Sequence, residues 1–416
     1  VRQSVTYQNY SNISIVAFCF PLFIEIEMIF LRLVASGLLL CASTFMFASQ
    51  DGKMHAIKST LAVGATFDDK GRLWLVKVEN QRLFIYQSKN EGKDFSKPVL
   101  ITPEPENILA DGENRAKIAV MSDGVVIVTW TQSLPQKFSG NIRFSRSTDS
   151  GETFSKPLTL NDDGRITSHR FDALTTDGAG RVVVAWLDAR DRDVAKERGE
   201  EFLGTSIYTA QSTDNGVSFS VNQKFQEHVC ECCRISLGWT TDGPIVFWRN
   251  IFDTNSRDFA IAALDTGALR RATDDSWKID ACPHHGGDMA IDAQDRLHLV
   301  WFTNGEIRQG LFYKQIKGER ESMPLAIGNS AAQASHPSIA VEGNIVLLAW
   351  REFNGETYSV QIMYSDNAGI SWSKSQQVAN STGGADYPLP LINGQKMLVV
   401  WNTSVDGLQI LPVSRN

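Results

Sequence analysis

Arg115 in "GENRAKIAV", Arg170 in "SHRFDAL" and Arg234 in "CECCRISLG" share one register of the chain. His284 and His285 in "CPHHGGDMAID", His336 in "SHPSIAV" and Tyr387 in "DYPLPL" continue it. Each stands 14 to 17 residues before a Trp that closes a short apolar run. A guanidinium presents a planar fork of donors that matches a carboxylate or phosphate, and an imidazole exchanges protons near neutral pH. Three arginines and two or three histidines aimed at one place repel one another unless something anionic joins them. The series therefore predicts a shared pocket for an anionic ligand, a small molecule or a glycan. His169, beside Arg170, belongs to the same group. The segments after the Trp runs add Asp188, Arg190 and Asp191, then Arg249, Arg257 and Asp258, then Arg351 and Glu352. Of these, Arg257 and Asp258 are assigned to the ligand. Capping a strand end or pairing with a loop carboxylate explains any one of these side chains alone, so repetition at one register is what singles them out.

A second constellation is made of sulfur. Cys230, Cys232 and Cys233 precede Arg234, and Cys282 precedes His284 and His285. In an oxidising compartment these four cysteines predict two disulfides stapling adjacent loops, a vicinal Cys232 to Cys233 bridge among the options. The alternative is a copper or zinc site of Cys230, Cys232, Cys233, Cys282 and His284, with Met289 as a further candidate donor, since thiolate and imidazole suit soft or borderline metals. C-x-C-C is not a zinc-ribbon spacing. No cofactor is required by any other feature.

The elements that must position these groups repeat. "SKNEGKDF" from Ser88, "STDSGETF" from Ser147, "STDNGVSF" from Ser212 and "SDNAGISW" from Ser365 all fit S-x-[DN]-x-G-x-x-[FW]. The Asp or Asn caps amides of a tight turn, the Gly takes positive φ, and the aromatic plugs the turn against a sheet. Strand-like runs end at Trp130, Trp186, Trp248, Trp301, Trp350 and Trp401, and "RLWLVK" to Lys77 is a degenerate seventh copy. Their spacings of 53, 56, 62, 53, 49 and 51 residues equal the length of a four-stranded propeller blade. The pattern predicts an all-β fold, a β-propeller of seven blades with six as the alternative, as one domain over 50–416. The strand "KMHAIKS" near Met54 is a candidate to close the seventh blade.

These boxes and strands resemble the sialidase-like family of Asp-box, or BNR-repeat, propellers over about residues 58–414, and "CECCR" with "CPHH" resembles a bacterial branch of it. The resemblance implies four-stranded blades with each box between the third and fourth strands. It also implies a carboxylated glycan as ligand, held by three arginines (Arg115, Arg170 and Arg234), and sialidase-type exo-glycosidase activity with Tyr387 as nucleophile. Asp172, Asp188, Asp191 and Glu352 are the candidates for acid/base and partner carboxylate. An Arg-Ile-Pro motif is absent from the first module, where "STLAVGATF" stands. The competing reading is a non-catalytic exported propeller that binds a metal, an anionic ligand or a partner protein.

The remaining features bound these options. The 416 residues are 43% hydrophobic with 10 Trp and 22 Phe, enough for a large core. A net charge of -7 argues against nucleic acid as a partner, because such binders carry a basic stripe. From Met28 through Arg32 to Ala48 the chain has a signal-peptide pattern, preceded by what reads as an upstream extension, so residues 1–49 are excluded from the fold. "LLLC" around Cys41 is similar to a lipobox, but Leu40 stands where a small residue is wanted. Export to the periplasm or medium, with no stable membrane span after cleavage, is the expectation.

Overall fold

The computed structural model describes residues 60–415. The signal-like run, the extension before it and "KMHAIKS" lie outside the described residues. Within them the chain is a seven-bladed β-propeller, which sets aside the six-bladed alternative. The innermost strands, in order, are Gly64–Phe67, Lys117–Val120, His169–Thr176, Ser236–Thr240, Asp288–Ile291, Ser335–Glu342 and Leu389–Asn393. Each packs beside the next, and the last meets the first, so the ring closes. Most blades are four-stranded antiparallel meanders. The fifth carries an extra strand, Leu325–Ile327, and the seventh shows three strands among the described residues. One α-helix, Arg190–Glu197, sits in the connection between the second and third strands of blade three.

The Trp repeat marks the second strand of every blade. Trp74, Trp130, Trp186, Trp248, Trp301, Trp350 and Trp401 are all fully buried. They lie in a core divided into seven apolar clusters, each filling the interface between two neighbouring blades. A buried indole N–H needs an acceptor. Asp68, Glu106, Asp188, Asn250, Asp275 and Glu352 side chains and the Asp386 carbonyl supply one to each Trp in chain order. Loop carboxylates that sequence alone offers to a ligand are thus partly spent on the core.

Each of the four repeated turn segments joins the third strand of its blade to the fourth. In the second blade the Ser147 hydroxyl donates to Asp149 Oδ1 at 2.6 Å and accepts from the Gly151 N–H at 2.9 Å. Asp149 Oδ1 also accepts from the Thr153 N–H at 2.9 Å. Because blades are antiparallel meanders, these turns share a face with the connections between first and second strands. The segments that enter the inner strands open on the other face. The turn needs its glycine twice over: Gly151 has φ of +82°, and a Cβ there would stand 2.6 Å from the Trp74 ring. Gly151→Ala is expected to destabilise by about 2–3 kcal/mol, left-handed strain plus a clash in the core. Gly164→Ala, at φ +66° with open space around it, should cost only the strain, about 1 kcal/mol. Urea melts of both variants check this, and equal losses would contradict the packing role of the turn.

Candidate functional site

The segments that enter the inner strands bring Glu113, Arg115, Arg234, His285, His336, Asp386 and Tyr387 together, and Arg351 joins them from the second strand of blade six, Ile345–Phe353. His336 owes its position to a β-bulge. The register between Ser335–Glu342 and Ile345–Phe353 slips between Ser335 and Ser338, and His336 takes a left-handed φ of 52°. A bulge re-aims a side chain, and strain of this kind gathers at functional positions. The His336 ring lies flat on Tyr387, with centroids 3.6 Å apart and an interplanar angle of 10°. His285 stacks on the same histidine at 4.6 Å and on Phe302 at 4.1 Å, so four rings from blades five, six and seven form one column. Gly112 gives the Tyr387 ring its room, since a Cβ at that position would stand 2.2 Å from it.

Glu113 is the charged centre of the group. Its Oε2 accepts from the Arg234 backbone N–H at 2.9 Å, and its Oε1 lies 3.4 Å from His336 Nδ1 and 3.6 Å from Arg234 Nη1. Burial by itself would raise the carboxyl, but Arg234 and His336 outweigh it and hold it at about 2. Burial pushes His336 down to about 4 against the pull of Glu113, and pushes His285 down to about 3, helped by His336. Both imidazoles are therefore neutral at pH 7, and the contact of His336 with Glu113 is a hydrogen bond rather than an ion pair. An Nδ1–H facing a carboxylate leaves Nε2 as the lone pair of the ring. Burial, and then Glu113, raises the Tyr387 phenol, so it stays protonated.

The arginines divide into two kinds. Arg115 donates to the Val63 carbonyl at 2.8 Å, the Tyr387 carbonyl at 2.9 Å and Asp386 Oδ1 at 3.2 Å, while Asp386 Oδ2 accepts from the Val63 N–H. This knot ties blade seven to blades one and two, so Arg115 closes the ring instead of waiting for a ligand. Arg234 is engaged in much the same way, donating to the Gly287 and Pro337 carbonyls. Arg351 lies 4.8 Å over the Tyr387 ring and spends Nη1 on the Ala385 carbonyl. Arg170 lies over Phe171 and close enough to Asp111 for charge attraction, and its buried Nε has no partner. Arg115 and Arg234 are thus engaged by the fold, while among the described residues Arg170 makes no side-chain hydrogen bond and Arg351 makes one, a correction to the expectation that Arg115, Arg170 and Arg234 all await a ligand.

Other expected site residues serve the scaffold. Asp172 is fully buried, accepting from the Thr129 and Thr131 hydroxyls. Asp191 lies in the first turn of the helix and accepts from the Ser206 and Tyr208 hydroxyls. Glu352 accepts from the Trp350 indole and the Asn329 N–H. None of the three is placed as an acid beside Tyr387, whose hydroxyl meets no carboxylate among the described residues. His169 is sealed between the Gly140 carbonyl, Asp163 at 3.1 Å and Asp188 at 3.7 Å. Arg257 contacts Glu231 and Cys230, and Asp258 is paired with Arg271 at 2.7 Å.

The four described cysteines are free thiols. Cys230, Cys232 and Cys233 lie in the core between blades three and four with Trp248, and their sulfurs are within 4.8 Å of one another. Cys232, Cys282 and His284 form a second group of the same size, so Cys282 lies within reach of Cys232 as adjacency of the two modules implies. Met289 packs in the next core, between blades four and five.

Sequence reasoning passed over Glu113 and Asp386. The available signal was charge balance: arginines converging on a buried place require carboxylates, and "GENR" and "ADYP" hold one within two residues of a predicted site residue.

No known protein family and no curated protein matches the chain by sequence. Solved structures resemble it in fold. A protein of unknown function from Dyadobacter fermentans aligns with a TM-score of 0.50 at 14% identity, over 76% of this chain and 96% of that one. An ulvan lyase of polysaccharide lyase family 25, bound to a glucuronate–sulfated rhamnose unit, aligns at 0.52 and 10%, over 85% and 92%. An α-L-arabinanase from Penicillium chrysogenum, complexed with arabinobiose, aligns at 0.50 and 14%, over 74% and 93%. The neighbours that act on glycans are propellers like this chain, and at such identities the likeness is one of fold.

Proposed function

We propose that the chain is a carbohydrate-active propeller whose axial group takes a carboxylate-bearing glycan and cleaves it by proton transfer. The observation that carries the reading is the stacked His336–Tyr387 pair, a neutral imidazole oriented by Glu113 against a protonated phenol. In β-elimination on a uronate, His336 Nε2 takes the proton from the carbon next to the carboxylate. The bond to the leaving glycosidic oxygen then breaks as the ring double bond forms, and the Tyr387 hydroxyl gives that oxygen its proton. Arg351 and Arg170 keep N–H groups with which to neutralise the substrate carboxylate, whose charge otherwise opposes proton removal. Glycan-active neighbours of the same fold support the substrate class.

Sialidase-type exo-hydrolysis asks more of this site. A tyrosine nucleophile needs a carboxylate to take its proton, and the Tyr387 hydroxyl makes no hydrogen bond to one among the described residues, Glu113 and Asp111 acting on it only through their charge. The deciding experiment incubates the protein with uronate polymers, matched neutral polymers and sialosides. Ultraviolet-absorbing unsaturated uronate products are expected from the first set alone. Release of sialic acid would replace elimination with hydrolysis, and saturable binding without any product would leave a glycan-binding module. Export is part of the same proposal: cell fractionation should find the protein in the periplasm or medium with a new N-terminus near Gln50, and a cytoplasmic full-length chain would count against it.

A further inference from the structure

We infer that Cys230, Cys232, Cys233, Cys282 and His284 form a second site, beside the axial group and chemically distinct from it, that holds a thiophilic d10 metal ion, Cu(I) or Zn(II). Two groups of three donors share Cys232, each with its ligating atoms within 4.8 Å of one another. Cys230 Sγ and Cys233 Sγ are 3.6 Å apart. Two thiolates on one tetrahedral ion with bonds near 2.3 Å stand about 3.8 Å apart, so the pair already has the spacing of a shared ion. Arg257 Nη1 reaches Cys230 Sγ at 3.3 Å. A guanidinium brought into an apolar core against sulfur favours the thiolate form that a metal requires.

Position and accessibility fit loading from solution. Cys230, Cys232 and Cys233 are buried between blades, a dry setting that suits a three-coordinate Cu(I). Cys282 and His284 are exposed on the loop above them and supply the entry side, or the fourth ligand that Zn(II) would take. Cys232, common to both groups, would be the pivot.

The competing arrangement is a pair of disulfides, Cys230 to Cys233 and Cys232 to Cys282. The test uses the full chain with Cys19 and Cys41 replaced by Ser, so that only these four thiols report. Protein recovered from its native compartment is assayed for bound metal and for alkylation before and after unfolding in chelator. The reduced protein is then titrated anaerobically with Cu(I) and with Zn(II) against colorimetric chelators. At least one ion per chain, and thiols that alkylate only after chelation, are expected, and the metal that wins the competition names the ion. Cys232→Ser should abolish tight binding. His284→Ala, at an exposed loop position that leaves the core intact, should weaken Zn(II) binding roughly tenfold or more. Metal-free protein with no alkylatable thiol would overturn the inference in favour of disulfides. Equal metal affinity in wild type, Cys232→Ser and His284→Ala would overturn it outright.

Discussion

Tyr387→Phe is expected to lower kcat on a uronate polymer by about two to four orders of magnitude with little change in KM, the loss for removing a general acid that acts only in the transition state. The variant is a clean one. The phenol hydroxyl makes no hydrogen bond to a described residue, and the ring keeps its stack on His336, so thermal stability should stay within about 0.5 kcal/mol of wild type. His336→Ala should cost a similar factor in kcat but also disturbs the ring column, so it is read beside His336→Gln. Glu113→Gln keeps a group near His336 Nδ1 but loses the charge that fixes the tautomer, and an intermediate loss is expected. Turnover unaffected by Tyr387→Phe would remove that residue from the chemistry. A parallel rise in KM with constant kcat would make it a binding residue only.

Blade number was legible because its signal is periodic. A Trp on the second strand and a Ser–Asp–Gly turn after the third recur in residues whose side chains are specified by local geometry, so their spacing survives divergence in everything else. The register of Arg115, Arg234, His285, His336 and Tyr387 was legible for the same reason, since each precedes or opens an inner strand. What each guanidinium does with its five N–H groups was not. Arg115 looks the same in sequence whether it waits for a ligand or ties Val63 to Asp386, because the partner lies 271 residues away. Glu352 and Asp188 read as loop acids until the indoles of Trp350 and Trp186, two residues earlier in each case, are seen to donate to them. That spacing was present in the sequence and could have marked them as core groups. The bulge at His336 has no comparable signature: its positive φ falls on a histidine rather than a glycine, and Pro337 after it is the only local sign of an irregular strand.

Acidification from about pH 6.5 is expected to destabilise the propeller well before ordinary carboxylates titrate. His285 and His336 have an unfolded value of 6.5 and fall to about 3 and about 4 in the fold. Over that window the folded chain binds fewer protons than the unfolded chain, so acid favours unfolding. Asp386 opposes them. Burial lifts it from 3.8 to about 6, so between those values the folded chain binds more protons, and its contribution grows as pH falls. His298 is depressed by burial as well and Asp275 is raised by it, so three histidines against two aspartates leave a net loss of stability on acidification from pH 6 to 4.5. Below about 4.5 Glu113, held at about 2, adds its own loss, and below 3.8 Asp386 ceases to compensate, so the limb steepens. His285 is the group to change, because it faces Phe302 and His336 in the column, with Arg249, Arg351 and Glu113 in its field, and its Nδ1 is unpartnered. His285→Phe keeps the stack and removes one titration. Its stability should fall by about 1.4 kcal/mol less per pH unit than that of wild type from pH 6 to 4.5. Denaturant midpoints at half-unit pH steps decide the matter: a wild-type curve that is level down to pH 5, or an unchanged slope in His285→Phe, would show that the column is not held by neutral imidazoles.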